Sequence, residues 1–333
     1  MKRWAVVVPT NRPERCREFI CCWSEIFKKH QVCLYVIEDG PRVTFRHELA
    51  DRHFSWKDID IELGKMADII PRKSASVRNF GFYKAYQEGM DYILTLDDDV
   101  VPGDGDLIEE FEKVFISGAP LSPYLNLFEL LSEFQDSHLF PRGFPISDRK
   151  SREVLVQTGV WNGSLDLDGM TQLLCSDPES RWKFMKSVIS VPIGAAVTLS
   201  SMNLAFKRQA VPMMYQLDMG GNGCYNRWGD IWAGLVAKRI CDNLGYPVVV
   251  NTKASVQHSR LSDPFANLES EAPGYVINEK IWRGLLLTQQ NFKTIEENYK
   301  HISYMIETVC ANDTLAISMR KWLKLLRSVE EGK

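Results

Sequence analysis

Tyr92-Ile93-Leu94-Thr95-Leu96 is an apolar run fit for a strand buried on both faces, and it ends without a spacer in three carboxylates, Asp97, Asp98 and Asp99. The strand must lie inside a sheet, and its carboxyl end must open onto polar surface. Like charges packed that closely repel, so a cation is expected to hold them. Ligands bind at the carboxyl ends of parallel strands, and hard divalent ions take oxygen ligands there with a polyphosphate supplying the rest. Asp97 and Asp99 are the candidate metal ligands for Mn2+ or Mg2+, with Asp98 on the substrate side. The same residues also read as a solvated acidic turn, or as a cap for the segment from Asp106. If repulsion dominates, removing one carboxylate should leave the fold intact or raise its metal-free melting temperature.

Around this strand the text alternates. Trp4-Ala5-Val6-Val7-Val8 reads as a buried strand, Pro9-Thr10-Asn11-Arg12-Pro13 breaks it, and a helix is expected over 13–29. A second strand over 32–37 ends at Glu38-Asp39-Gly40, and a helix over 74–88 feeds the strand before Asp97. This is the rhythm of an α/β fold, a mostly parallel sheet wound with helices. From Val100 to about residue 180, Pro and Gly punctuation predicts binding loops. A helix returns at Asp230 with Ile231, Leu235, Val236, Ile240 and Leu244 on one face, stopped by Gly245, and Val248-Val249-Val250 follows as a late strand. Helices are expected from about 276 onward, giving a domain over 1–275 and a helical extension over 276–333.

Composition narrows the class. A net charge of −3 over 333 residues offers no field for nucleic acid, and no basic run repairs that locally. Eight cysteines without C-x-x-C pairs or zinc-like spacing predict reduced, mostly buried thiols of a cytoplasmic protein. The first residues run straight into a strand, leaving no room for a signal peptide. Residues 187–206 carry no charge, yet Pro192, Gly194 and several hydroxyls make them too polar and broken for a membrane span. They read as interior strand and loop beside the site.

Three loops carry residues suited to a nucleotide. Thr10, Asn11 and Arg12 follow the first strand, Asp39 and Gly40 the second, and Arg78 and Asn79 precede the third. Asp39 can accept from the uracil N3–H, and Arg78 can stack on or bond to the base. Each is ambiguous alone: Asp-Gly is commonly a turn, and an arginine at position 78 is commonly a solvated helix residue. There is no G-x-G-x-x-G or Walker loop to support a dinucleotide or ATP. Asp230 reads either as an N-cap or as a ligand for a sugar hydroxyl or base, and His258 either completes the metal site or is structural.

Together these blocks resemble the reversibly glycosylated polypeptides, glycosyltransferase family 75, whose plant members are UDP-L-arabinopyranose mutases. The likeness runs from Val6 to about Leu268, through Val8-Pro9-Thr10, Glu38-Asp39-Gly40, Leu96-Asp97-Asp98-Asp99, Arg142-Gly143-Phe144-Pro145, Met202-Asn203-Leu204-Ala205-Phe206, Asp230-Ile231-Trp232-Ala233-Gly234 and His258-Ser259. Plant members carry two acidic residues where this chain has Gly229-Asp230. The resemblance implies a GT-A type fold, a UDP-sugar substrate and a divalent metal. It also implies interconversion of pyranose and furanose forms, UDP-arabinopyranose first, with self-glycosylation at an arginine of the segment holding Arg142 and Arg149. A guanidinium is a poor nucleophile, so both arginines are expected to clamp the diphosphate. Asn203 joins the substrate-binding set, Asp230 is expected to shuttle a hydroxyl proton, and Trp161 or Trp232 to wall the site from water. Two other readings stand: a glycosyltransferase acting on a small acceptor, and a non-catalytic UDP-sugar-binding subunit of a homo- or hetero-oligomer.

Overall fold

The computed structural model describes residues 2–128, 139–174, 179–180, 188–217, 225, 227–258, 263–288, 292–310 and 313–332. Twelve strands form among them: β1 (Trp4–Thr10), β2 (Cys33–Glu38), β3 (Arg52–Phe54), β4 (Tyr92–Leu96), β5 (Val100–Pro102), β6 (Ala119–Pro120), β7 (Ser151–Arg152), β8 (Val156–Ser164), β9 (Glu179–Ser180), β10 (Val188–Ser190), β11 (Asn203–Lys207) and β12 (Val248–His258). The main sheet runs β10-β12-β8-β11-β4-β1-β2-β3 and is parallel from β4 to β3 and between β8 and β12. β11 enters antiparallel between β4 and β8. The result is the mixed α/β class expected, with a mostly parallel centre and C-terminal helices.

The unbroken apolar runs follow from burial on both faces. Along β1, Ala5 and Val7 enter one core, and Trp4, Val6 and Val8 enter the other. The first core is covered by the Asn79–Gln87 and Gly229–Leu244 helices and by the C-terminal helices Pro264–Leu287, Ile295–Cys310 and Asp313–Glu331. The second is covered by the Pro13–Lys29 and Leu107–Ser117 helices. Gly81 lets its helix lie directly on β1, since a Cβ there would come within 2.4 Å of Val7 Cγ1. Gly245 ends the Gly229–Leu244 helix in the left-handed conformation, φ +80°, as its sequence position predicts.

Several expectations are corrected. The helix read over 74–88 is a 3₁₀ turn, Ala75–Arg78, followed by a helix, Asn79–Gln87; the Ser74 hydroxyl accepts from Ser76 N–H and tightens the entry. The stretch read as loops supplies β8, a strand of the sheet centre. Its signal is masked by Gly159, Gly163 and two polar residues that are nonetheless buried, Gln157 and Thr158; Gln157 donates to the Phe111 carbonyl at 2.8 Å. Asp106 is the N-cap of the Leu107–Ser117 helix, accepting from Glu109 N–H at 3.1 Å, so capping explains Asp106 and not the triad. Of the thiols, Cys16 and Cys241 are buried, while Cys21 and Cys22 are exposed, so the expectation of mostly buried thiols does not hold; Cys175 and Cys224 lie outside the described residues. No described helix is long and apolar enough to cross a membrane.

The boundary expected near residue 276 falls inside the continuous Pro264–Leu287 helix. Trp322, on the last helix, is wholly buried against Tyr215 with ring centroids 5.4 Å apart, and its indole donates to the Val211 carbonyl at 3.2 Å. Trp322→Ala is therefore expected to cost about 3–5 kcal/mol and to lower a single urea transition of the whole chain. A separate sheet transition left unmoved would mean that the C-terminal helices fold apart.

Candidate active site at the carboxyl edge of the sheet

Strand direction gathers the site. β1, β2 and β4 are parallel, so the segments after Thr10, Glu38 and Leu96 emerge at one edge. β11 is antiparallel to β4 with Asn203 opposite Leu96, which brings the preceding Ser200-Ser201 turn to the same edge. β8 and β12 run parallel to each other and antiparallel to β11, so their ends, Ser164 and His258, arrive there too. β5 pairs His258 with Val100 and so lays the triad beside the imidazole. Open α/β sheets bind ligands at this edge.

The triad is held by the protein's own cations. Arg12 is bonded through Nη2 to Asp98 and, at 3.0 Å, to Asp99; Thr10 Oγ1 donates to Asp98 at 2.6 Å. Arg78, wholly buried, is bonded to Asp97 and donates to Thr95 Oγ1 at 2.7 Å, the Ser201 carbonyl at 2.9 Å and the Ala75 carbonyl at 3.0 Å. Burial works against the Arg12 charge, but the hydrogen bonds and charges of Asp98 and Asp99 outweigh it and hold the guanidinium above its ordinary value. Burial pushes the Asp98 carboxyl up, against the bonds from Thr10 and Arg12. Arg12 and Thr10 nonetheless supply the donors that a bare triad would lack. The repulsion argument for an ion thus loses its force, and Arg78 is neither a solvated residue nor a base-stacking one.

Three expected metal ligands do not form one cage. Among the described residues no three His, Cys, Asp or Glu side chains converge tightly enough to hold an ion alone. Asp97 turns to Arg78, whereas His258 Nε2 faces Asp99 Oδ1 at 3.9 Å. His258 Nδ1 lies 3.0 Å from the Ser164 carbonyl, an arrangement that places the proton on Nδ1 and leaves Nε2 a lone pair. Asp99 and His258 therefore suit two positions of an ion completed by phosphate oxygens and water.

Asp39 sits at the end of β2 with Oδ1 accepting from Trp56 Nε1 at 2.8 Å and Lys73 N–H at 2.9 Å. Burial raises its pKa against these bonds. An open cavity of about 460 Å3, lined by Pro41, Trp56, Lys57, Asp60, Ile61 and Arg72, adjoins it. At the opposite end, Asp230 is not an N-cap. It lies in the first turn of its helix and accepts through Oδ2 from Ser201 N–H and Oγ, both at 3.0 Å, and through Oδ1 from Ile231 N–H at 3.0 Å. Sequence reasoning missed Trp56, Lys73, Ser201 and Asp166, which lies just past β8 within reach of Asp230, Arg227, Asp97 and Ser200. No motif announces them: Asp166 falls in the stretch read as loops, and Ser201 is one hydroxyl among several.

Other expected residues lie elsewhere. Trp232 is wholly buried, stacked on Trp228 at 5.7 Å with its indole donating to Asn278, so it has no face to turn to substrate. Asn203 is also wholly buried and ties β8 to β12, donating to the Val160 and Ala254 carbonyls at 3.0 and 2.8 Å. It braces the edge rather than binding substrate. Trp161 is half-buried on β8 opposite Val256, and Asn11 is exposed after β1. Arg142 is exposed, while Arg149 donates to the Phe144 carbonyl at 2.8 Å and lies over the Phe140 ring. Among the described residues no hydrogen bond or ion pair joins either arginine to the triad, whose guanidinium partners are Arg12 and Arg78.

A family model for reversibly glycosylated polypeptides matches residues 2–331, and the chain belongs to that family. It is 30% identical over 340 residues to the probable UDP-arabinopyranose mutase 4 of Arabidopsis thaliana, covering 96% of this chain and 89% of that one. It is 31% identical over 290 residues to the UDP-arabinopyranose mutase 1 of Oryza sativa subsp. japonica, covering 83% and 75%. Among solved structures, the Mycobacterium tuberculosis glucosyl-3-phosphoglycerate synthase aligns at a TM-score of 0.42 and 15% identity over 87% of this chain and 83% of that one. S. aureus TarS 1-349 in complex with UDP aligns at 0.40 and 11%, over 99% and 90%.

Asp97→Ala would leave a buried guanidinium without its charge partner. Roughly 2–3 kcal/mol of destabilisation is expected, toward the low end for a broken buried pair because Asp97 is 32% exposed and Arg78 keeps its other acceptors. Thermal unfolding in chelator checks this; an unchanged or higher melting temperature would restore repulsion as the governing term.

Proposed function

We propose that the protein is a UDP-sugar mutase that interconverts the pyranose and furanose forms of its substrate, with UDP-arabinopyranose the first to assay. The carrying observation is the single sheet edge that joins Asp39, the Arg12-bound triad and the Ser200-Ser201 turn with Asp230. Its order matches the parts of a UDP-sugar: base toward Asp39, diphosphate at Arg12 and the triad, sugar toward Asp230. The mutase names of relatives spanning most of the chain support the same reading.

Arg12 takes the clamp role expected of Arg142 and Arg149, since its guanidinium already lies at the triad with its side chain 37% exposed. Asp99 and His258 would hold a divalent ion, whose Lewis acidity would favour departure of the diphosphate. The bond from the anomeric carbon to UDP breaks with its electron pair going to the phosphate oxygen, and UDP held by Arg12 recaptures the anomeric carbon after the ring has re-formed. Half-buried Trp161 helps keep water from that carbon.

Incubating the protein with UDP-sugars and Mn2+, without acceptor, tests the reading. Isomerised nucleotide sugar is expected; UDP released only when an acceptor is added would make the protein a transferase, and no reaction would make it a binding subunit. Calorimetry with UDP should show affinity lost on chelation, because the two triad arginines are already matched by carboxylates. Equal affinity in both buffers would remove the metal from the site. Self-glycosylation is tested by intact mass: Arg142→Lys should retain turnover within about tenfold because the exposed side chain is no clamp. A stoichiometric sugar adduct on Arg142 that forms and decays as fast as turnover would make that residue the carrier.

A further inference from the structure

The ring exchange needs a carboxylate that can take a proton and give it back, and Asp230 is poorly placed for that task. Both of its oxygens are occupied by protein donors, Ser201 N–H and Oγ on one and Ile231 N–H on the other. Asp166 differs. It lies two residues beyond β8, whose Gly163 is paired with His258 and whose Ser164 carbonyl holds the His258 ring. The loop is pinned on its far side, where Asp168 accepts from Thr171 N–H at 3.1 Å and Gly169 N–H donates to Glu271 at 2.7 Å. Asp166 lies near Ser200, next to the serine that holds Asp230, and the charges around it are Asp230, Arg227 and Asp97. Its side chain is exposed at the open edge.

We propose that Asp166 is the catalytic carboxylate that receives the proton of the sugar hydroxyl closing the new ring and returns it to the ring oxygen released, a role that rests on the mutase reading above. For a pentopyranose the balance is complete. Once C1 has parted from UDP, O4 attacks C1 while its proton passes to Asp166, and a C1–O4 bond forms. The C1–O5 bond then breaks, its pair and the proton from Asp166 going to O5, and the furanosyl C1 is recaptured by the UDP oxygen. No electron, proton or water is gained or lost. The nearby Asp230 and Asp97 charges favour the protonated Asp166 carboxyl and Arg227 opposes them, so the group is suited to take a proton and give it back.

The test compares Asp166→Asn, Asp166→Glu and Ser200→Ala with the wild type, reading UDP affinity by calorimetry and turnover of UDP-arabinopyranose by chromatography. Asp166→Asn is expected to bind UDP within about twofold of wild type and to lose roughly a hundredfold or more in kcat, with partial recovery in Asp166→Glu. Ser200→Ala removes a neighbouring hydroxyl that favours the ionised carboxylate, so the acid limb of its kcat profile should move to higher pH. Asp166→Asn turning over within threefold of an active wild type overturns the proposal and leaves the mutase reading standing, and an unmoved acid limb in Ser200→Ala counts against it likewise. A wild type that isomerises no UDP-sugar overturns both.

Discussion

The architecture of this site hangs on one buried guanidinium. Arg78 joins four segments through its nitrogens: its own 3₁₀ turn at Ala75, β4 at Thr95, the triad at Asp97 and the turn before β11 at Ser201. A planar group with fixed donor directions can do this, whereas lysine offers one point charge and no fork. Burying a charge is tolerable because each of the three nitrogens finds an acceptor and one acceptor is anionic. Through Ser201 the same group fixes the serine that holds Asp230, so the triad and Asp230 share a common brace.

Arg12 balances the other two carboxylates but is built for exchange. It is partly exposed, and its partners Asp98 and Asp99 are buried. On the proposed reading, diphosphate oxygens at this edge would meet a guanidinium that can turn from carboxylate to phosphate, and a carboxylate so released would be left for a cation. The internal pair thus keeps the edge of the free protein from carrying naked charge.

What the chain disclosed in advance follows from where its signals are local. β1, β4, the Pro13–Lys29 helix and the helix stopped by Gly245 are written as runs, breakers and caps, and the loops that follow parallel strands put Thr10, Arg12, Asp39 and the triad at one edge. β8 was illegible because its apolar pattern is interrupted by glycines and buried amides that find partners only in the folded state, such as Gln157 with Phe111. Arg78 and Asn203 were misassigned for the same reason: polar text reads as surface or ligand contact, and only tertiary hydrogen bonding turns it into bracing. Trp232 shows the converse, an aromatic beside a motif that serves the core.

The two halves of the edge are supported differently. The half with Asp39 and Arg12 stands on short turns directly after parallel strands, with support from the Asn79–Gln87 helix pressed on β1 at Gly81. The half with Asp230 and Asp166 reaches further into the chain, because Glu271, buried on the Pro264–Leu287 helix, accepts from Gly169 N–H through one oxygen and from Arg227 through the other at 2.6 Å. Arg227 in turn lies within the field of Asp166. A helix that sequence division would cut in two is therefore the anchor of the loop on which the sugar would rest, and the last helices, packed on the same core, hold that anchor in place. On the proposed mutase reading, changes in the helical extension should accordingly be felt as altered sugar handling before they are felt in UDP binding.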